Sequence, residues 1–148
     1  MLKNIWTIIC KSSLVDKDNN SLSLSEILEK IKIDVGVTKK TDKSISIPLD
    51  FQIVSFWVNS DGKERKEVVK IEMVDPNNKN LFEKELEISF KKGMRRMRFR
   101  ALFHNFLVTV SGDYLVNVYL KDKSKKRFVQ TSSTPIEVIA TKTIVPQT

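Results

Sequence analysis

The sequence predicts an all-β protein, a sandwich of two sheets built from about seven to nine antiparallel strands with at most one short helix. Three observations lead to this fold class. Apolar residues recur at every second position in several segments, and residues typical of turns separate those segments. The chain of 148 residues is also long enough to bury one core without a disulfide or metal.

Six of the ten residues at 91–100 are basic, and the alternation is clearest on either side of Lys92-Gly93 within and before this run. The two inward sets are Phe82, Leu86, Ile88 and Phe90, then Met97, Phe99, Ala101 and Phe103. Such a pattern places one face of a strand on a core and the other in water. Residues 5–10 and 51–58 are apolar at nearly every position and predict more deeply buried strands. These segments contain Trp6 and Trp57, and we expect both indoles in the core. The alternative is an aromatic contact in an oligomer interface.

Turn signals divide the strands. Asp61-Gly62 predicts a hairpin, and Lys92-Gly93 could close a second one. The residues at 75–78, 16–20 and 111–113 mark three further turns.

The one helical indication is Ser23 to Lys30, where Ser23 and Glu26 have the spacing of a capping box. Val35 to Ser46 is expected to be a loop that bears lysines and threonines. We interpret residues 1–140 as a single domain. Residues 141–148 form a C-terminal tail whose order the sequence leaves open.

Cysteine content and hydropathy indicate the cellular compartment in which the protein is expected. Cys10 is the only cysteine, so no internal disulfide can form, which is typical of a reducing compartment. The apolar run at 5–10 is shorter than a signal-peptide core, and no segment approaches the roughly 20 residues of a spanning helix. We therefore expect a soluble, cytoplasmic protein.

Two short patterns resemble known proteins. Residues 112–118 followed by 135–139 resemble the last two strands of an immunoglobulin-like domain, and Tyr114 is placed like its tyrosine corner. Cys10, residues 15–24 and Ile27-Leu28-Glu29 resemble an uncharacterised family of small bacterial β-sandwich proteins. The resemblance implies an immunoglobulin-like sandwich and a bacterial or phage origin, and it implies no activity.

Charge is concentrated in one part of the chain. Residues 91–127 hold eleven basic and two acidic residues, whereas the whole chain has a net charge of +8. One hypothesis is a site for a polyanion, either a nucleic acid or an anionic surface. Its candidate residues are Arg95, Arg96, Arg98, Arg100, Lys123, Lys125, Lys126 and Arg127.

The other hypothesis for the arginines is cross-strand ion pairing. If Lys92-Gly93 were a two-residue turn, Glu87 would lie opposite Arg98 and Glu85 opposite Arg100. The same register would pair the apolar faces of both segments. On this interpretation the charges neutralise one another, and no site exists.

The sequence contains few residue patterns that are typical of metal binding or catalysis. Asp16, Asp18 and Asn20 begin like a calcium loop, and Asp61 and Asp75 could add ligands from other turns, but aspartates in turns usually bond the backbone. His104 is the only histidine, and its possible nucleophilic partner, Cys10, lies in an apolar strand. No catalytic elbow or phosphate-binding glycine loop is present. We expect no enzymatic activity, no metal and no cofactor.

These observations predict a non-enzymatic interaction module whose partner is another protein. Polyanion binding through residues 91–100, with nucleic acid as a possible ligand, is the alternative. The oligomeric state is left open.

Overall fold

The computed structural model describes the backbone of residues 1–37 and 44–144, and these residues form nine strands and no helix. The strands are β1 (Leu2–Val15), β2 (Leu22–Ile27), β3 (Lys30–Val37), β4 (Ile45–Asn59), β5 (Arg65–Val74), β6 (Asn80–Phe90), β7 (Arg96–Val108), β8 (Gly112–Asp122) and β9 (Arg127–Ile144). The predicted all-β class is confirmed. Residues 38–43 and 145–148 lie outside the described residues. The expected loop at Val35 to Ser46 is wrong at its ends, because residues 35–37 belong to β3 and residues 45–46 to β4.

The strands form two sheets that pack face to face. The four-stranded sheet has the order β2-β1-β4-β7, and the five-stranded sheet has the order β3-β9-β8-β5-β6. The core between them draws Ile9 and Phe51 from the first sheet and Ile71 and Tyr114 from the second. The predicted sandwich is therefore confirmed, with one difference: β3 pairs with β9 in parallel, whereas the other described strand pairs are antiparallel.

The predicted helix at Ser23 to Lys30 is wrong. This stretch is the end of β2, a two-residue link and the start of β3. Leu22 and Leu24 are half-buried while Ser23 and Ser25 are exposed, which is the period of a strand. The link passes from one sheet to the other, with Leu28 N donating to Ile9 O (2.8 Å) and Glu29 O accepting from Glu137 N (3.0 Å). It therefore joins β2, at the edge of one sheet, to β3 beside β9 in the other.

Two predicted hairpins are also wrong. The turn at Asp61-Gly62 joins β4 to β5, the turn at Lys92-Gly93 joins β6 to β7, and each connects strands of different sheets. Gly62 and Gly93 have φ values of 65° and 86°, and Gly93 N donates to Gly62 O (2.7 Å). The two crossovers therefore run side by side at one end of the sandwich. A glycine with positive φ fits a crossover between sheets as well as a hairpin within one sheet. The two dipeptides alone therefore do not distinguish a crossover from a hairpin.

Other turns agree with the sequence. The turn at 75–78 joins β5 to β6, and the turn at 16–20 joins β1 to β2, each within one sheet. Strands β8 and β9 pair as expected. The hydroxyl of Tyr114 donates to Val110 O (2.7 Å) and accepts from Thr109 N (2.8 Å), so the predicted tyrosine corner is confirmed.

The inward side chains predicted from alternation lie in the core. Phe90, Ile88 and Ala101 are buried, and Phe99 and Phe103 pack against the two core clusters. Full burial of each large apolar side chain contributes about 1.5–3 kcal/mol.

Strand β9 extends to Ile144, beyond the expected domain end at residue 140. The division between domain and tail stays a prediction.

Candidate binding groove on the four-stranded sheet

Strand β7 presents a row of arginines on the outer face of the four-stranded sheet. Its residues alternate, so Met97 and Phe99 pack against the core while Arg96, Arg98 and Arg100 point outward. In register, these arginines lie beside Val58, Phe56 and Val54 of β4. Successive outward side chains on a strand are about 6.7 Å apart, so the row is a ladder of three cations.

The floor beside this row is apolar. It consists of Trp6 and Ile8 from β1 and Val54 and Phe56 from β4. The rings of Trp6 and Phe56 are 5.5 Å apart between centroids and meet edge to face at 86°. The expected core position of Trp6 is wrong, because a register shift between Asn4 and Trp6 leaves the indole half-buried on the outer face. Trp57 is fully buried, as predicted.

The β1–β2 hairpin closes the groove from the other side. Arg98 Nη2 donates to the carbonyl oxygen of Asn20 (2.8 Å) and to its Oδ1 (3.2 Å). Arg100 Nη1 donates to Ser13 Oγ (3.2 Å). Since β1 and β4 separate β2 from β7 in the sheet, these bonds require the hairpin to arch over the outer face.

Between hairpin and sheet lies a groove of about 920 Å³. We call this the arginine groove. Its lining residues are Trp6, Ile8, Val15, Asn19, Asn20, Leu22, Leu24, Val54, Phe56, Met94, Arg96, Met97, Arg98 and Arg100. The lining contains no acidic residue. An apolar floor with a few convergent polar groups is typical of ligand sites in this size range.

The arginines are not neutralised by the glutamates of β6, so the cross-strand ion-pair hypothesis is wrong. Glu87 lies opposite Val68 and Glu85 opposite Lys70, both in β5 of the other sheet. No ion pair joins an arginine of the groove to an acid anywhere in residues 1–37 and 44–144. The bonds of Arg98 and Arg100 to neutral oxygens hold their guanidinium groups without cancelling the charge.

The remaining predicted residues lie elsewhere. Arg95 precedes β7, is exposed, and uses its carbonyl oxygen to accept from Asn59 N (2.7 Å). Lys123, Lys125, Lys126 and Arg127 lie at the β8–β9 turn of the five-stranded sheet. Lys123 Nζ donates to Lys66 O (2.6 Å) and lies 3.9 Å from Glu67. The structure does not bring these five residues into the groove, and their role in binding stays a prediction.

Sequence reasoning missed the floor and the hairpin. The signal was present in β1 and β4, since strands that are apolar on both parities have a second covered face. Trp6, Ile8, Val54 and Phe56 fall on that second parity. Asn19 and Asn20 offered no signal beyond a turn, because their approach to β7 depends on tertiary folding.

The other candidate chemistry does not assemble. Cys10 is fully buried, and burial raises the pKa of its thiol above the ordinary value. His104 is exposed and places Nδ1 at 2.9 Å from Asp50 Oδ1, so no nucleophile–base pair forms with Cys10. Asp16 Oδ1 and Asp75 Oδ1 accept backbone N–H bonds in their own turns. No cluster of three or more metal-ligating side chains occurs within the described part of the chain.

Comparison with known proteins shows the fold alone. No protein-family model and no curated protein matches the chain. The C-terminal domain of Wzt is similar with a TM-score of 0.54 and 13% identity, over 97% of this chain and 75% of that one. A glycosyl hydrolase family 2 member from Bacteroides cellulosilyticus gives a TM-score of 0.51 and 13% identity.

The second match covers 66% of this chain and only 15% of the hydrolase. Both matches show that the chain has a β-sandwich fold of the general kind that these larger proteins contain.

Within residues 1–37 and 44–144 there is no helix long and apolar enough to cross a membrane.

Proposed function

We propose that this protein is a non-enzymatic binding module that holds an anionic partner in the arginine groove. The observation that carries the proposal is the row of Arg96, Arg98 and Arg100 beside an apolar floor, with no acidic residue in the lining. The sequence-based hypotheses of an interaction module and of a polyanion site thus converge on one surface.

The chemistry of the groove favours carboxylates or phosphates. A guanidinium group forms paired, charge-assisted hydrogen bonds with the oxygens of either group. The hairpin partly covers Arg98, whereas Arg96 and Arg100 are exposed, so salt should screen their attraction for an anion. Trp6 and Phe56 add apolar contact for the uncharged part of the partner.

The proposal also includes the kind of module and its cellular location. Both solved neighbours are parts of larger proteins, one of them named as a C-terminal domain, which supports a binding role in place of a complete active site. A single buried cysteine fits a bacterial cytoplasm, where thiols stay reduced.

The proposal is tested by titrating the protein with poly-L-glutamate and with mixed-sequence single-stranded DNA across a range of salt concentrations. We expect binding that weakens with salt and a change in Trp6 emission that is lost in Trp6→Phe. In the variant R96Q/R98Q/R100Q, the slope of log K against log salt for DNA should fall by about 2, since each neutralised contact contributes about 0.7.

The matched control is K123Q/K125Q/K126Q, which removes the same number of charges from the turn of the other sheet. It should retain nearly all of the binding. If both variants weaken binding equally, only the net charge matters and the groove is not the site. If neither anion binds at low salt, the proposal is wrong.

A further inference from the structure

We infer that the anionic partner is an extended polypeptide segment, with acidic residues at alternate positions, that adds to the free edge of β7 as a fifth strand. This inference rests on the proposed function and names its ligand class. The added strand would lie beside the groove, and its acidic side chains would reach the arginine row from the side of β7 opposite Trp6 and Phe56. Arg98 and Arg100, which bond Asn20 and Ser13 in the free protein, would turn toward the added strand. Three observations support it: the unpaired edge of β7, the spacing of its arginines, and the apolar residue that follows them.

The edge of β7 is open to a further strand. β7 ends the order of the four-stranded sheet, and β4 is the one strand that pairs with it in the described structure. Its other neighbour, β6, belongs to the facing sheet and meets it through side chains, with Phe82 and Phe103 ring centroids 4.7 Å apart. Alternate N–H and C=O groups over Arg96–Val108 therefore face away from β4, and an added strand would satisfy them.

The side chains of β7 specify what such a strand must carry. In chain order, the outward positions hold Arg96, Arg98, Arg100 and then Leu102, which is 59% exposed. Residues opposite each other on neighbouring strands have Cβ atoms about 4.5–5.5 Å apart, and both strands repeat at about 6.7 Å. Three alternate acids followed by an apolar residue would match this row position by position in a parallel strand, and the reverse order would match it in an antiparallel strand.

The same row disfavours other occupants of the edge. A second copy of β7 would bring arginine against arginine, and like charges directly opposite are destabilising. A nucleic acid could match the charges but would leave the backbone groups of β7 unpaired. Trp6 and Phe56 pack perpendicular to each other, so they form no parallel platform for successive bases.

The test uses synthetic peptides and the full chain. The probe peptide has glutamates at three alternate positions followed two residues later by leucine, and its control has the same composition with the glutamates adjacent. Two further versions carry N-methyl groups either on the odd or on the even amides. Only alternate amides of an added strand point at β7, so one methylated version should lose at least about tenfold in affinity and the other should bind normally.

A charge exchange then fixes the register. The side chain of Arg96 has no hydrogen-bond or ionic partner in the described structure, so Arg96→Glu breaks no internal polar contact of that side chain. It should weaken binding of the probe peptide. Replacing one glutamate of the peptide by lysine should restore binding at a terminal acidic position only, and the end that responds gives the direction of the added strand.

The outcomes separate this inference from the proposal beneath it. If the peptide binds but both methylated versions behave alike, strand addition is wrong while anion binding in the groove stands. If single-stranded DNA binds and the alternating peptide does not, the partner class is wrong and the groove again stands. If no anion binds, the proposed function itself fails.

Discussion

At the scale of single residues, Asp75 shows how a polar side chain can stabilise the edge of a core. It is 4% exposed, its Oδ1 accepts from the N–H groups of Asn77 and Lys79, and its Oδ2 accepts from Thr109 Oγ1 (2.7 Å). Thr109 in turn bonds the Tyr114 hydroxyl. Burial acts to raise the pKa of Asp75, but these hydrogen bonds outweigh it, and the pKa lies below its ordinary value.

This arrangement predicts a pH-dependent contribution to stability. Because the pKa is lower in the folded than in the unfolded protein, the stabilisation is complete above the unfolded value of about 3.9 and is lost as the pH falls through the folded value. Asp75→Asn should lower the free energy of unfolding by about 1–3 kcal/mol at pH 7, and by less at pH 3. Urea denaturation at both pH values measures the difference.

Asp18→Asn is the control, because Asp18 is exposed and its side chain is in a turn. It should leave the free energy of unfolding nearly unchanged at both pH values. A difference between Asp75→Asn and the parent protein that stays constant with pH would contradict the role given to the charge.

At the scale of elements, one arginine bonds the turn of the β1–β2 hairpin, while Arg100 bonds Ser13 farther back in β1. Arg98 spans the groove and donates to two oxygens of Asn20, a turn residue with a φ of 58°. We expect Arg98→Ala to release the hairpin tip while the sheets stay intact. A loss of about 1 kcal/mol corresponds to about fivefold faster amide exchange.

Hydrogen exchange monitored by mass spectrometry over residues 12–24 would detect that release. Arg96→Ala is the matched control, since it removes an arginine of the same row that does not bond the hairpin. Exchange that is equally fast in both variants, or unchanged in Arg98→Ala, would show that the hairpin is held by other contacts.

Elements also show what could be read from the sequence. The alternation of apolar and polar residues correctly predicted which side chains of β6, β7 and β8 face the core, because a strand with one buried face has a period of two in its sequence. The sheet to which each strand belongs could not be read, because a turn at Asp61-Gly62 or Lys92-Gly93 has the same local chemistry whether the chain reverses or crosses over. The prediction of a helix at Ser23 to Lys30 is wrong because the capping-box spacing of Ser23 and Glu26 is equally compatible with two exposed residues of a short strand.

At the scale of the whole molecule, the crossovers decide whether a site exists. A β6–β7 hairpin would have paired the arginine charges with glutamates, whereas the observed connection sends β6 and β7 to different sheets. The acids then lie on the five-stranded sheet and the arginines on the four-stranded sheet. The arginines were predicted as candidates, but the groove was not, because its floor and its closing hairpin meet β7 only in the tertiary fold.

This separation can be tested by engineered disulfides in a Cys10→Ser background. Residues opposite each other in a sheet can be bridged, since their Cβ atoms are close enough for a disulfide. We expect Phe56→Cys with Arg98→Cys to crosslink under mild oxidation, and Val68→Cys with Glu87→Cys to do the same, because both pairs are in register. Glu87→Cys with Arg98→Cys should stay reduced, although each position crosslinks with its own sheet partner. Counting free thiols by mass spectrometry distinguishes the three pairs. A bridge between positions 87 and 98 would indicate that β6 and β7 pair as a hairpin, and it would contradict the presence of unpaired arginines in the groove.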